Sequence, residues 1–211
     1  MRKKIATALL AALMTISLQV TSADTFEAGK DYMVLESRQP TSTGEKVEVL
    51  EFFSYGCPHC AHLEPVLQTW KQETKPEEVQ FVKVPVAWNE GFETFARVYY
   101  AAELADASDE AHTAMFNLLH EEKPKQLNLQ IVADVFGKHG VDTDKFIQYF
   151  GSKEVTNRVA QAKELSRRYK VTGVPTMFVD GRYEVPSPKG GDFPRMMETV
   201  TYLSKEAGKT P

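Results

Sequence analysis

The stretch EFFSYGCPHCAHLEPVL, residues 51–67, changes its period in the middle and holds the only two cysteines of a 211-residue chain. Upstream, residues 46–54 (KVEVLEFFS) are rich in apolar, β-branched and aromatic side chains, the composition of a buried strand. Downstream, Cys60, Leu63, Leu67 and Trp70 recur at three- and four-residue spacing, which marks one face of a helix. Pro58 suits that helix's first turn, where a missing N–H costs nothing. The pattern puts Cys57 at the helix N-terminus and Cys60 one turn inside, on the buried face. Residues 79–86 (VQFVKVPV) supply a second strand, so the chain begins with a β-α-β unit.

Residues 89–151 read as almost entirely helical. Phe92, Phe95, Tyr99 and Ala102 form one stripe, and Leu129, Val132 and Phe136 another. Ser108 and Thr143 mark helix starts, and Lys123-Pro124 and Gly140 interrupt the pattern. A further helix over residues 152–170 leads to residues 171–185 (VTGVPTMFVDGRYEV), an apolar strand, an Asp180-Gly181 hairpin signal and a second short strand. A final amphipathic helix covers residues 192–207. The order is that of an α/β fold split by a helical insertion, with residues 24–88 and 162–211 forming one domain and 89–161 the insert.

The first 23 residues read as a cleaved signal peptide. Arg2, Lys3 and Lys4 precede an apolar run over residues 5–20, and Thr21-Ser22-Ala23 follows with small side chains. Thr15, Ser17 and Gln19 interrupt that run, which falls short of the roughly 20 apolar residues a membrane span needs. Without residues 1–23 the chain keeps 22 basic and 29 acidic side chains, a formal charge of −7. A chain so acidic has no electrostatic footprint for nucleic acid.

Two cysteines in an exported chain ordinarily imply a structural bridge. A bridge from Cys57 to Cys60 closes so small a loop that it removes little entropy from the unfolded chain. The pair reads instead as reactive. At a helix N-terminus Cys57 meets unpaired N–H groups and the positive end of the helix dipole, which lower a thiol's pKa. His59 adds a donor or a positive charge, and Cys60, shielded one turn in, is placed to resolve a mixed disulfide. Stabilising the Cys57 thiolate favours the dithiol and makes the disulfide an oxidant, by about 30 mV per pKa unit. A metal site is the rival reading, since Cys57, His59, Cys60 and His62 lie within six positions. Structural zinc usually takes two separated ligand pairs, and His112, His120 and His139 are scattered, so no metal is expected.

EFFSYGCPHC together with VTGVPTMFVDGRY resembles the DsbA family of periplasmic thiol:disulfide interchange proteins, within the thioredoxin-like superfamily. The resemblance runs over essentially the whole chain after residue 23. It implies a thioredoxin fold with an inserted α-helical domain. It implies Cys57 as nucleophile, Cys60 as its buried partner, and Pro58 and His59 as the dipeptide that tunes the couple. Val174-Pro175 matches the family's cis-proline loop, where the Val174 backbone would pair with an extended substrate. Glu51, a charge inside an apolar strand, is costly unless used or paired. The resemblance makes it the acid beneath the site, serving proton transfer at Cys60, with Lys83 of the neighbouring strand as its partner and Glu64 as a further acid nearby. A purely structural Glu51–Lys83 pair and a solvated Glu64 are the alternatives at those positions.

The activity so implied is oxidation of reduced exported proteins in the periplasm by the Cys57–Cys60 disulfide, with no other cofactor. A reductase or isomerase on the same fold is the alternative, although no dimerisation module accompanies the chain and a monomer is expected. A quinone-linked membrane oxidase resembling DsbB would restore the disulfide. Tyr55-Gly56 and PVAWNE are where the sequence departs from the better-known members.

Overall fold

A computed structural model describes residues 26–209. The expected signal peptide lies outside the described residues. The elements follow the expected order, beginning with a two-residue strand that no pattern announced, β1 (Met33–Val34). Then come β2 (Val47–Phe53), α1 (Pro58–Thr69) and β3 (Val79–Pro85). The helical block holds α2 (Glu90–Leu104), α3 (Asp109–Asn117), α4 (Leu129–Gly137) and α5 (Thr143–Phe150). After it come α6 (Lys153–Arg168), β4 (Thr176–Val179), β5 (Tyr183–Pro186) and α7 (Phe193–Ala207). One five-stranded sheet has the order β1-β5-β4-β2-β3, with β2 and β3 parallel and the other pairs antiparallel.

Every residue of β2 is buried, as its near-continuous apolar run requires. Alternation divides its side chains between two layers. Val47 and Val49 join Leu63 and Leu67 of α1 and Met196, Met197 and Val200 of α7 in one core. Leu50 and Phe52 point the other way, into a core with Val84, Ala162, Tyr169 and Phe178. Phe53, at the strand's end, enters a third core formed by α2 to α6. Each such side chain contributes about 1.5–3 kcal/mol on burial, so the strand that leads to the cysteines is held from three directions.

Helix ends are satisfied locally. Ser108 caps α3 and Asn89 caps α2 through side-chain acceptors. The start expected at Thr143 is capped one residue earlier, by Asp142, because its carboxylate accepts from the Asp144 and Lys145 N–H groups. α1 and α3 both end in a single wide turn, over Trp70–Thr74 and Leu118–Glu122, and Lys123 then adopts a left-handed conformation with φ 48°. α6 runs without a break across residues 161 and 162 and packs on both α2 and β3. Among the described residues no helix is long and apolar enough to cross a membrane.

The Asp180-Gly181 turn joins β4 to β5 with φ of 53° and 61°, the double left-handed geometry that two-residue hairpins favour. It also receives the segment after β1. The Gln39 N–H donates to the Gly181 carbonyl at 2.8 Å, and Arg38 donates to the Asp180 side chain at 2.7 Å. A Cβ at residue 181 would lie 2.2 Å from the Gln39 carbonyl oxygen. Backbone cannot withdraw as a flexible side chain can, so Gly181→Ala should destabilise the protein by about 2 kcal/mol or more. A urea titration showing an unchanged midpoint would contradict this packing.

Candidate active site

The four residues Ser54, Tyr55, Gly56 and Cys57 carry the chain from β2 into α1. The Cys57 N–H donates to the Ser54 carbonyl at 3.0 Å and the Gly56 N–H to Ser54 Oγ at 3.2 Å. Cys57 is the N-cap residue of α1, with extended backbone, and Pro58 takes the first helical position. Its side chain caps nothing. The Sγ donates instead to the Val174 carbonyl at 3.3 Å. Val174-Pro175 is a cis peptide bond, as the resemblance implied. Both cysteines are free thiols here, Cys57 partly exposed and Cys60 with none of its surface exposed.

This arrangement separates the two thiols electrically. The Cys57 pKa is lowered from 9.0 to about 6, first by a hydrogen bond from the Cys60 thiol, then by the backbone N–H groups of Cys60 and His59 and the charge of His59; burial works the other way. The Cys60 thiol is pushed well above its ordinary value by burial, and the Cys57 and Glu51 charges add to that. Pro58 and His59 are exposed beside Cys57. His62 is exposed as well, its ring 6.3 Å from that of His59. Among the described residues no group of three or more His, Cys, Asp or Glu side chains is placed to hold a metal ion.

Beneath the thiols lie the three charged residues singled out from the sequence. Glu51 stands opposite Lys83 in the β2–β3 register. Lys83 Nζ lies 2.7 Å from Glu64 Oε2 and 3.6 Å from Glu51 Oε2. The side chains of Lys83, Glu51 and Glu64 are only 7, 1 and 2% exposed, so Glu64 is no solvated helix residue. Glu64 takes the closer bond to Lys83 and also accepts from Gln68 Nε2 at 2.7 Å. Glu51 has no hydrogen-bond partner for either carboxylate oxygen. Lys83, at 3.6 Å, attracts it chiefly by charge. Burial therefore dominates, and with Glu64 as a like charge nearby it raises the Glu51 pKa from 4.5 to about 7, against the pull of Lys83. Burial alone would lower the Lys83 pKa, but Glu51 and Glu64 raise it above its ordinary value. A carboxyl group with a pKa near neutrality can both take and give a proton.

A second polar group adjoins the site that the sequence did not disclose. The Tyr55 hydroxyl is in a short hydrogen bond with His112 Nδ1, and His112 Nε2 lies 3.2 Å from Glu103 Oε1. The Tyr55 carbonyl accepts from His120 Nε2 at 2.7 Å. In the sequence Tyr55 is visible only as a departure from the better-known members, and the two histidines only as scattered residues of the helical block.

With this geometry established, comparison with known proteins is decisive. The family model for the DSBA-like thioredoxin domain matches residues 77–198. The chain belongs to that family. A thiol:disulfide interchange protein DsbA of Burkholderia cepacia is 34% identical over 207 residues, covering 98% of this chain and 97% of that protein. The DsbA of Pseudomonas aeruginosa strain PAO1 is 34% identical over 203 residues, covering 96 and 95%. The crystal structure of Pseudomonas aeruginosa DsbA superposes with a TM-score of 0.78 at 32% identity, over 86% of this chain and 94% of that one. Reduced DsbA1 of Neisseria meningitidis gives 0.75 at 32% identity, over 87 and 96%. The fold of the family, a thioredoxin domain with inserted helices, is the fold described above.

Lys83 is the only cation within 4 Å of these two carboxylates among the described residues. Lys83→Met should therefore leave two buried carboxylates unanswered, at a cost of about 3–5 kcal/mol near neutral pH. The Glu51 share of that cost should shrink as the pH falls below about 7, where its carboxyl is protonated and no longer needs the ammonium. Urea unfolding at a series of pH values measures this, and a pH-independent loss would show that the ammonium is not answering those charges.

Proposed function

We propose that the protein is a thiol:disulfide oxidoreductase that passes a Cys57–Cys60 disulfide to exported proteins as they fold. The observation that carries this reading is a partly exposed Cys57 at the N-terminus of α1, beside a fully buried Cys60 and against the carbonyl that precedes cis-Pro175. The structure holds the dithiol, the product side of that reaction. In the disulfide form a substrate thiolate attacks Cys57 Sγ, the only sulfur of the pair with exposed surface. The bond between Cys57 and Cys60 breaks, a substrate–Cys57 disulfide forms, and Cys60 leaves with the electron pair. Its high pKa draws a proton to it, and Glu51, close enough for its charge to raise that pKa, is suited to supply one. A second substrate thiolate then attacks the substrate sulfur of the mixed disulfide. Cys57 departs as the stabilised thiolate, and the substrate has lost two electrons and two protons.

The direction follows from the leaving group. With its pKa lowered from 9.0 to about 6, Cys57 is a thiolate at neutral pH, which weights the couple towards the dithiol. The Val174 carbonyl, which holds the Cys57 thiol in the dithiol, is the backbone group an extended substrate would meet on its way to Cys57. The names of the relatives, thiol:disulfide interchange proteins, support the same activity. The redox group is the cysteine pair itself, and the reading needs no further cofactor. Residues 1–23 serve as a signal peptide that delivers a monomer to the periplasm. A DsbB-like quinone-linked membrane oxidase returns the pair to the disulfide.

Cys57→Ser and Cys60→Ala should each lose all oxidation of a reduced peptide, because neither can form the disulfide that accepts its two electrons. Cys60→Ala should also raise the Cys57 titration, followed by thiolate ultraviolet absorbance, because the largest stabilising contact is gone. The equilibrium with glutathione tests the direction: a couple as reducing as thioredoxin's would favour a reductase.

A further inference from the structure

We infer that Tyr55 is a positioning residue for the redox centre, clamped by two histidines of the helical block so that the block sets where Cys57 lies. The inference rests on the oxidase reading in one respect, that Cys57 is the reacting thiol.

The hydrogens in the chain can be assigned by elimination. A carboxylate only accepts, so His112 Nε2 donates to Glu103, and in the neutral imidazole Nδ1 is then the acceptor for the Tyr55 hydroxyl. A carbonyl likewise only accepts, so His120 Nε2 donates to the Tyr55 main chain. One histidine thus holds the side chain of residue 55 and the other its backbone. His112 belongs to α3, and His120 to the wide turn that follows it. The phenol ring is 1% exposed, edge-on to Phe53 and Phe116 and stacked on His112. His112 is itself 4% exposed, so neither partner can exchange its bond for water.

The position of this anchor gives it leverage. Four residues separate the end of β2 from Pro58, and only Tyr55 among them offers a large side chain to the interior. Gly56 follows it directly, and a Cβ there would lie 2.7 Å from Phe95 Cε2 of α2, so the block leaves little room for a side chain at the next residue. Cys57 comes next. Its thiolate depends on the aim of the Cys60 thiol and of the N–H groups of Cys60 and His59, and such bonds weaken steeply with angle. A turn no longer tethered through Tyr55 would let Cys57 wander from that alignment while β2 and α1 stayed in place.

The test is a double-mutant cycle of Tyr55→Phe and His112→Leu, read on the Cys57 titration and on the glutathione equilibrium rather than on melting alone. Tyr55→Phe keeps the ring and its packing and removes only the hydroxyl. Each single variant should raise the Cys57 titration by about half a unit and weaken the oxidising equilibrium about threefold, and the double should shift no further than either. A lower melting temperature with both redox readouts unmoved in Tyr55→Phe would overturn the inference. Shifts that simply add in the double variant would overturn it too, since a chain that acts as one unit is broken by its first cut. A wild-type protein that failed to oxidise glutathione would instead defeat the oxidase reading, and that result does not depend on the variants.

Discussion

Lys83 carries its ammonium into the seam between β2, β3 and α1, where the carboxylates of Glu51 and Glu64 compete for it. One positive charge cannot satisfy two negative ones in a space closed to water. Geometry settles the competition: Glu64 takes the hydrogen bond, and Glu51 is left with attraction at a distance. Burial, which the more distant ammonium only partly offsets, then turns an ordinary glutamate into a group whose charge changes near neutrality. The ammonium lies 5.0 Å from the centre of the Phe53 ring and 5.6 Å from that of Phe116, so the aromatic core shared with the helical block also faces it.

The thiols show the same principle with opposite signs. Cys57 receives donors and loses proton affinity, while Cys60, three residues away, receives burial and neighbouring negative charge and gains it. Three residues along a helix amount to less than one turn, yet they span the boundary between surface and interior. The wide difference between the two sulfurs is therefore a property of the helix N-terminus rather than of either residue alone. The proline at the first helical position fits that terminus without sacrificing a hydrogen bond.

Much of this was legible in the residues and some was not. The strand before Cys57 and the helix after it announce themselves because one face of each is buried, and burial imposes a period. Glu51 stood out because a charge interrupts an apolar strand. Glu64 came only from the resemblance, since its place on α1 looks like any polar helix position until α3 is known to cover it; Thr113 of α3 reaches it at 3.4 Å. The cis bond before Pro175 came only from the resemblance, because nothing local in VTGVPT selects one isomer. Tyr55 and His112 are 57 residues apart, and their meeting depends on how α3 docks, which no spacing in either segment encodes. β1, at two residues, is too short to carry any period.

The tie between the Asp180-Gly181 turn and residues 38 and 39 has a consequence for the order of assembly. Arg38 waits for a partner 142 residues further along, and the central strand β2 waits for β4. A chain that emerges N-terminus first can therefore shape its helical block while its sheet is still missing two of its five strands. Contacts so distant in sequence form slowly. Until the last fifth of the polypeptide arrives, Cys57 has no Val174 carbonyl to meet, and the oxidising centre does not yet exist.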